Sequence, residues 1–159
     1  MATIVTATAV IIVAAQALTG ETTPTSVPST TTTSIRNVAV GACQGLSGST
    51  ITDADGDPTT LAGLIAAFEY AYYQRRSADA AMRLLAPESG IQRDPLATGL
   101  TSIPSGTRHC VAVTPLADTA ADVHLVEVRP DGTRTDYLQV INTRRADTGL
   151  LITNIQKRG

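Results

Sequence analysis

The apolar residues of this chain change their spacing at Thr107. Before it, over residues 58–76, Leu61, Leu64, Ile65, Phe68 and Tyr72 recur at three- and four-residue steps and so line one face of a helix. After it the period is two, over residues 107–116, 122–129, 134–143 and 150–156, which is the spacing of strands. One element cannot carry both periods, so helices come first and an antiparallel meander follows. The expectation is an α+β domain: N-terminal helices packed on a curved four-stranded antiparallel sheet.

Local signals set the expected boundaries. Asp57-Pro58 offers an N-cap with Pro in the first turn of the long helix, and Arg75 and Arg76 fall in its last turn, where cations suit the dipole. Ser77 caps a second, short helix that Pro87 ends. Residues 88–106, with Pro95 and Pro104, read as irregular, with room for a helical turn or short strand near 96–103. Residues 45–60 read as a loop, and IRNVAVGA at 35–42 is a candidate edge strand. Asp131-Gly132 is the strongest hairpin signal.

Ahead of this domain, residues 2–18 carry no charged side chain, and with Thr19 and Gly20 the apolar run approaches the about 20 residues of a membrane span. No basic stretch precedes it, which a start upstream of Met1 explains. The segment 1–20 is thus expected to be an anchor; Ala15-Gln16-Ala17 leaves a cleaved signal open, with secretion as the result. ETTPTSVPSTTTTS at 21–34 has no apolar period, cannot bury enough surface to offset its ordering entropy, and reads within 21–35 as a disordered tether. Residues 36–159 are then an extracytoplasmic domain.

Of the 12 basic residues all but Lys157 are Arg, scattered along the second half at a net charge of -2, so no nucleic-acid surface is indicated. Cys43 and Cys110 flank the best helix and fit no zinc or redox spacing. In an exported domain their simplest reading is one disulfide, which for a loop of about seventy residues contributes about 4 kcal/mol. Two separate buried thiols are the alternative. A nucleophilic Cys110 is disfavoured because its activator would be His109, and neighbours along a strand point to opposite faces.

LAGLIAAFEYAYYQRRSADAAMRLLAPES at 61–89 and LLITNIQKR at 150–158 resemble the opening helix pair and closing strand of the nuclear-transport-factor-2-like, or cystatin-like, cone. With the anchor and tether, the chain looks most like uncharacterised exported proteins of actinobacteria, including the Mce-associated type. The resemblance implies a non-catalytic binding module whose partner is an envelope protein or a hydrophobic small molecule, with no cofactor and no metal. It also leaves an enzyme of the SnoaL-like or dehydratase kind, using a pocket Asp or His.

The candidate binding residues are Tyr70, Tyr73 and Arg76, at the end of the long helix where such a fold opens its pocket. Register counted from a two-residue Asp131-Gly132 turn sets Glu127 opposite Asp136 and Arg129 opposite Arg134. That would be either an acid/base pair of carboxylates or, more simply, an exposed charge lattice. His109 and His124 are expected as partly exposed strand residues roughly 20 Å apart. DADGD at 53–57 looks like a calcium loop, but Gly56 misses the turn position and Leu64 stands where a bidentate Glu is needed, so capping and solvation account for its acids.

Overall fold

The computed structural model describes residues 41–159. The expected anchor, the tether and nearly all of the candidate strand at 35–42 lie outside the described residues. Among those described, no helix is long and apolar enough to cross a membrane. The order of elements is β1 (Thr50–Thr52), α1 (Leu61–Tyr73), α2 (Ala78–Met82), a 3-10 turn (Pro87–Ser89), α3 (Arg93–Ser102), β2 (Arg108–Ala117), β3 (Ala120–Val128), β4 (Arg134–Ala146) and β5 (Gly149–Lys157). The fold is α+β, as the change of period requires, with helices against one antiparallel sheet.

That sheet has five strands rather than four, in the order β1-β2-β3-β4-β5. The added strand is β1, which pairs Thr50 with Val113 and Thr52 with Val111 inside the stretch expected to be a loop. At three residues it is too short to show a period. Bulges interrupt the ladders at Pro115/Ala117 and at Asn142/Thr143. Such irregularities bend and twist strands, which helps the sheet curl toward the helices.

Helix α1 begins at Leu61, three residues later than Asp57-Pro58 suggested. Asp57 instead forms a turn, its carbonyl accepting from Thr60 N–H, and the Thr60 hydroxyl caps the helix by accepting from Gly63 N–H at 3.1 Å. The helix stops at Tyr73, so Arg75 and Arg76 lie beyond its last turn. Arg76 turns the corner with φ +48°, the only non-glycine at positive φ among the described residues. That conformation costs about 1 kcal/mol. Two hydrogen bonds from Arg76 Nη2 to the carbonyls of Leu100 and Ile103, each 2.7 Å, hold the residue there and satisfy the end of α3. Ser77 then caps α2 through Ala80 N–H, as expected.

The β3–β4 register differs by one residue from the expected one. Val126 faces Asp136 and Glu127 faces Thr135. A two-residue type I′ turn needs positive φ at both Asp131 and Gly132, yet only Gly132 has it, at +86°. Pro130 favours the first central position of a type I turn, so the loop is Pro130-Asp131-Gly132, closed by Gly132 N–H to Arg129 O and Arg129 N–H to Thr133 O, each 2.9 Å. A slip of one residue exchanges the faces of the sheet. Glu127 therefore turns inward and Asp136 outward, and neither the carboxylate pair nor the charge lattice forms.

The inward face of the sheet, with Val111, Val113, Val123, Leu125, Ile141 and Ile152, packs on Leu64, Ile65 and Phe68 of α1 to make the main core. On the outward face a smaller cluster of Ala42, Cys110, Val126 and Val128 sits under the Cys43–Cys110 disulfide. The expected bridge is present, closing a separation of 67 residues.

Candidate functional site

Between α1, α3 and the inward face of β3–β5 lies a pocket of about 290 Å³. Phe68, Tyr72 and Tyr73 line it from α1, Leu96 from α3, and Leu125 and Ile155 from the sheet. Tyr137 and Gln139 of β4 complete the wall, placed there by their pairing with Leu125 and Val123. The site exists because α3 forms where irregular chain was expected. Pro95 falls in its first turn, where a missing N–H costs nothing, and Gly99 lets the Tyr72 hydroxyl close in, since a Cβ at 99 would sit 2.6 Å from it.

One charged residue lies on this apolar wall. Glu69 is 3 % exposed, lines the pocket, and receives no hydrogen bond from the described residues. Burial pushes its carboxyl up from an ordinary 4.5 to about 8, so the group is mostly neutral at pH 7. A second polar atom nearby is also unsatisfied: Gln139 Oε1 is shielded from solvent and has no partner. Burial raises the hydroxyl pKa of both Tyr72 and Tyr73, and the charges of Glu69 and Glu127 add to it.

Beside the pocket sits a second group of buried polar residues. Tyr73 is nearly buried and its hydroxyl donates to Glu127 Oε2 at 3.1 Å, while Arg129 Nε donates to Glu127 Oε1 at 2.8 Å. The Tyr73 ring stacks on His109, with centroids 5.0 Å apart. His109 is 1 % exposed, against the expectation of a partly exposed strand residue, because β2 turns it to the inward face directly opposite Glu127. Gln74 Nε2 lies 3.4 Å from its Nδ1, and its Nε2 has no partner. Burial lowers the His109 pKa to about 4, with Asp53 opposing weakly.

The other sequence candidates disperse. Tyr73 lines the pocket; Tyr70 does not, and Arg75 lies over its ring at 5.5 Å. Arg76 is engaged with the α3 carbonyls and also lies off the pocket wall. His124 and Asp136 meet on the outward face at 2.7 Å, with Arg134 bonded to the same carboxylate. Asp55 pairs with Arg75, and Asp57 accepts from Thr59 N–H. Among the described residues no cluster of three His, Cys, Asp or Glu could hold a metal. Glu69 itself was not singled out from the sequence, although a signal was there: it stands four residues after Ile65 and three before Tyr72, a charge on the apolar stripe.

Residues 41–156 match the family model described as Domain of unknown function (DUF8176). The chain belongs to that family. The match takes in every element from β1 to β5, so the pocket lies wholly within the DUF8176 domain. No curated protein matches the sequence. Among solved structures the DUF8176 chain is similar to a "Putative Scytalone Dehydratase" from Novosphingobium aromaticivorans DSM 12444, at 15 % identity and TM-score 0.42, over 62 % of this chain and 80 % of that one. It is also similar to a Delta 5-3-ketosteroid isomerase from Mycobacterium sp., at 21 % identity and TM-score 0.40, over 60 % and 92 %. A third, a "Putative calcium/calmodulin dependent protein kinase II association domain" from Xanthomonas campestris, shows 14 % identity and TM-score 0.43 over 67 % and 94 %. None of their activities is transferred to this chain.

Proposed function

We propose that this DUF8176 domain is a non-catalytic binding module that takes a small, mainly apolar molecule into the α1–α3–sheet pocket, and that the N-terminal segment holds it on the outer side of a membrane. The observation that carries the reading is the pocket itself: a wall of aromatic and aliphatic side chains in which one carboxyl is buried without a partner. A buried polar group left unbonded costs stability, and a ligand that bonds it recovers that cost. The volume is about that of ten waters at liquid density, which suits one small ring with a short chain better than a protein side. The disulfide supports an oxidising compartment, and the apolar run at 1–20 supports an anchor. The catalytic alternative would rest on Glu69, whose pKa of about 8 suits proton transfer near neutrality; Asp136, His109 and His124 do not line the pocket.

The test is calorimetric titration of the full chain with a neutral probe, 4-phenylbutan-1-ol, beside the variant Leu96→Trp, which fills the pocket from α3. Saturable binding to the natural chain, weakened at least tenfold in the variant, supports the reading. Equal affinity for both proteins, or no binding to either by this probe and by its amine and carboxylate counterparts alike, overturns it.

A further inference from the structure

Resting on that reading of the pocket, we infer that its ligand is cationic: a small molecule in which an ammonium group is carried on an apolar body. Four features of the wall converge on this class. The carboxyl of Glu69 is turned into the pocket and is bonded to nothing among the described residues. Gln139 Oε1, a polar atom shielded from solvent, is also an acceptor without a donor, and no hydrogen bond joins the two side chains. Four rings, Phe68, Tyr72, Tyr73 and Tyr137, border the space. Neither Lys, Arg nor His lines it.

An ammonium answers each of these at once. It has three N–H donors and no lone pair, so it can bond a carboxylate and an amide oxygen together. Its charge is attracted to ring faces, and the Tyr73 hydroxyl is already bonded to Glu127, so Tyr73 offers its ring rather than its hydroxyl. Once the carboxyl is ionised, an alcohol supplies one donor where two acceptors wait, and a carboxylate would meet Glu69 with no cation to balance it.

The charge state of Glu69 gives this inference a signature that packing alone cannot imitate. Burial keeps the carboxyl protonated to about pH 8. The titratable groups facing it are Tyr72 and Tyr73 from α1, Tyr137 from β4 and, behind Tyr73, Glu127 from β3 with its partner Arg129. From α3 and β5 the wall is Leu96 and Ile155, while Lys157, paired with Gln139, is exposed and Arg76 is held on α3 carbonyls. An ammonium ligand therefore binds to the ionised carboxylate and releases its proton to solvent. Its affinity must rise with pH, approaching tenfold per unit below about pH 8, then level off until the amine itself deprotonates near pH ~10.

The experiment titrates the full chain with three matched probes, 4-phenylbutylamine, 4-phenylbutan-1-ol and 4-phenylbutanoate, at pH 6, 7, 8 and 9. At pH 8 the amine is expected to bind at least tenfold more tightly than the alcohol and the carboxylate weakest, with the amine's affinity climbing from pH 6 to 8. At pH 7 its binding should release close to one proton, read from the dependence of the heat on buffer ionisation. In Glu69→Gln the amine-to-alcohol ratio should fall to near one and the pH dependence should vanish, and Gln139→Met should lower the ratio about fivefold. Alcohol binding as tight as amine binding, or amine affinity flat or falling from pH 6 to 8, overturns the inference while leaving the pocket in place as a ligand site. Failure of all three probes overturns the pocket reading with it.

Discussion

Two glutamates near Tyr73 are equally hidden, each 3 % exposed, and the fold treats them differently. Glu127 is closed off by a tyrosine hydroxyl on one oxygen and an arginine on the other. Glu69 has neither, and burial alone drives its carboxyl to hold a proton. A structure that satisfies one buried acid so fully has the means to satisfy another. The difference separates a carboxylate bonded within the fold from a buried carboxyl with no such partner, and the proposed ligand site rests on that contrast.

The largest effect expected from breaking this contrast is a gain. In the unfolded chain Glu69 loses its proton near 4.5 and in the folded chain near 8, so between those values unfolding releases a proton and is increasingly favoured as pH rises. Its cost is absent below pH 4.5 and complete above pH 8. Glu69→Gln should accordingly stabilise the protein by on the order of 3 kcal/mol at pH 7, with the gain disappearing toward pH 4.5. Urea unfolding at pH 4.5, 7 and 8 measures it, and a difference that does not vary with pH would contradict the account.

Glu127→Gln should go the other way. One amide oxygen cannot replace two carboxylate oxygens, and the new NH2 group is buried without an acceptor. A loss of about 2 kcal/mol is expected in urea unfolding at pH 7. Unchanged stability would mean that the Tyr73 and Arg129 bonds do not distinguish this carboxylate from Glu69.

A smaller effect comes from Tyr73 and its stacking partner, His109. His109 titrates near 4 in the fold and near 6.5 when unfolded, so stability falls as pH drops from 6.5 to 4, where the unfolded chain binds the proton first. His109→Phe keeps a ring against Tyr73 and should raise stability by about 1 kcal/mol at pH 5.5 while adding nothing from this source above pH 7. Thermal melts across pH 4.5 to 7.5 would show whether the acid limb flattens. On the outward face, Asp136→Asn removes an exposed carboxylate that His124 and Arg134 share, and should change stability by no more than about 0.5 kcal/mol and leave probe binding unaltered.

The sequence showed the order of elements well because α1 and the strands carry their periods in full: Leu61 through Tyr72 for the helix, and Val111 and Val113 or Val123 and Leu125 for the sheet. The disulfide was legible as the simplest reading of two cysteines that fit no zinc or redox spacing. What escaped were features decided across the chain. Pro130 chose a three-residue loop and so set Glu127 and Asp136 on opposite faces of the sheet. Pro95 and Gly99 looked like helix breakers, yet one fits a first turn and the other makes room for Tyr72. Tyr137 and Gln139 became a pocket wall only once the register placed them beside Leu125 and Val123. Glu69 could have been noticed from its place on the apolar stripe, but its lack of a partner is a property of the packed structure.

The Cys43–Cys110 bond also decides how a mechanical load would travel through the domain. A pull applied through the segment before Cys43 reaches the sheet at Cys110, in a strand flanked on both sides by β1 and β3. The covalent loop between the cysteines contains β1 and all of the helices, so tension from that side bypasses α1 and α3 and enters β2 directly. The helical wall of the pocket, with Glu69 and Tyr72, hangs on a slack branch, and a pull from that side would not draw the pocket open from the helix side.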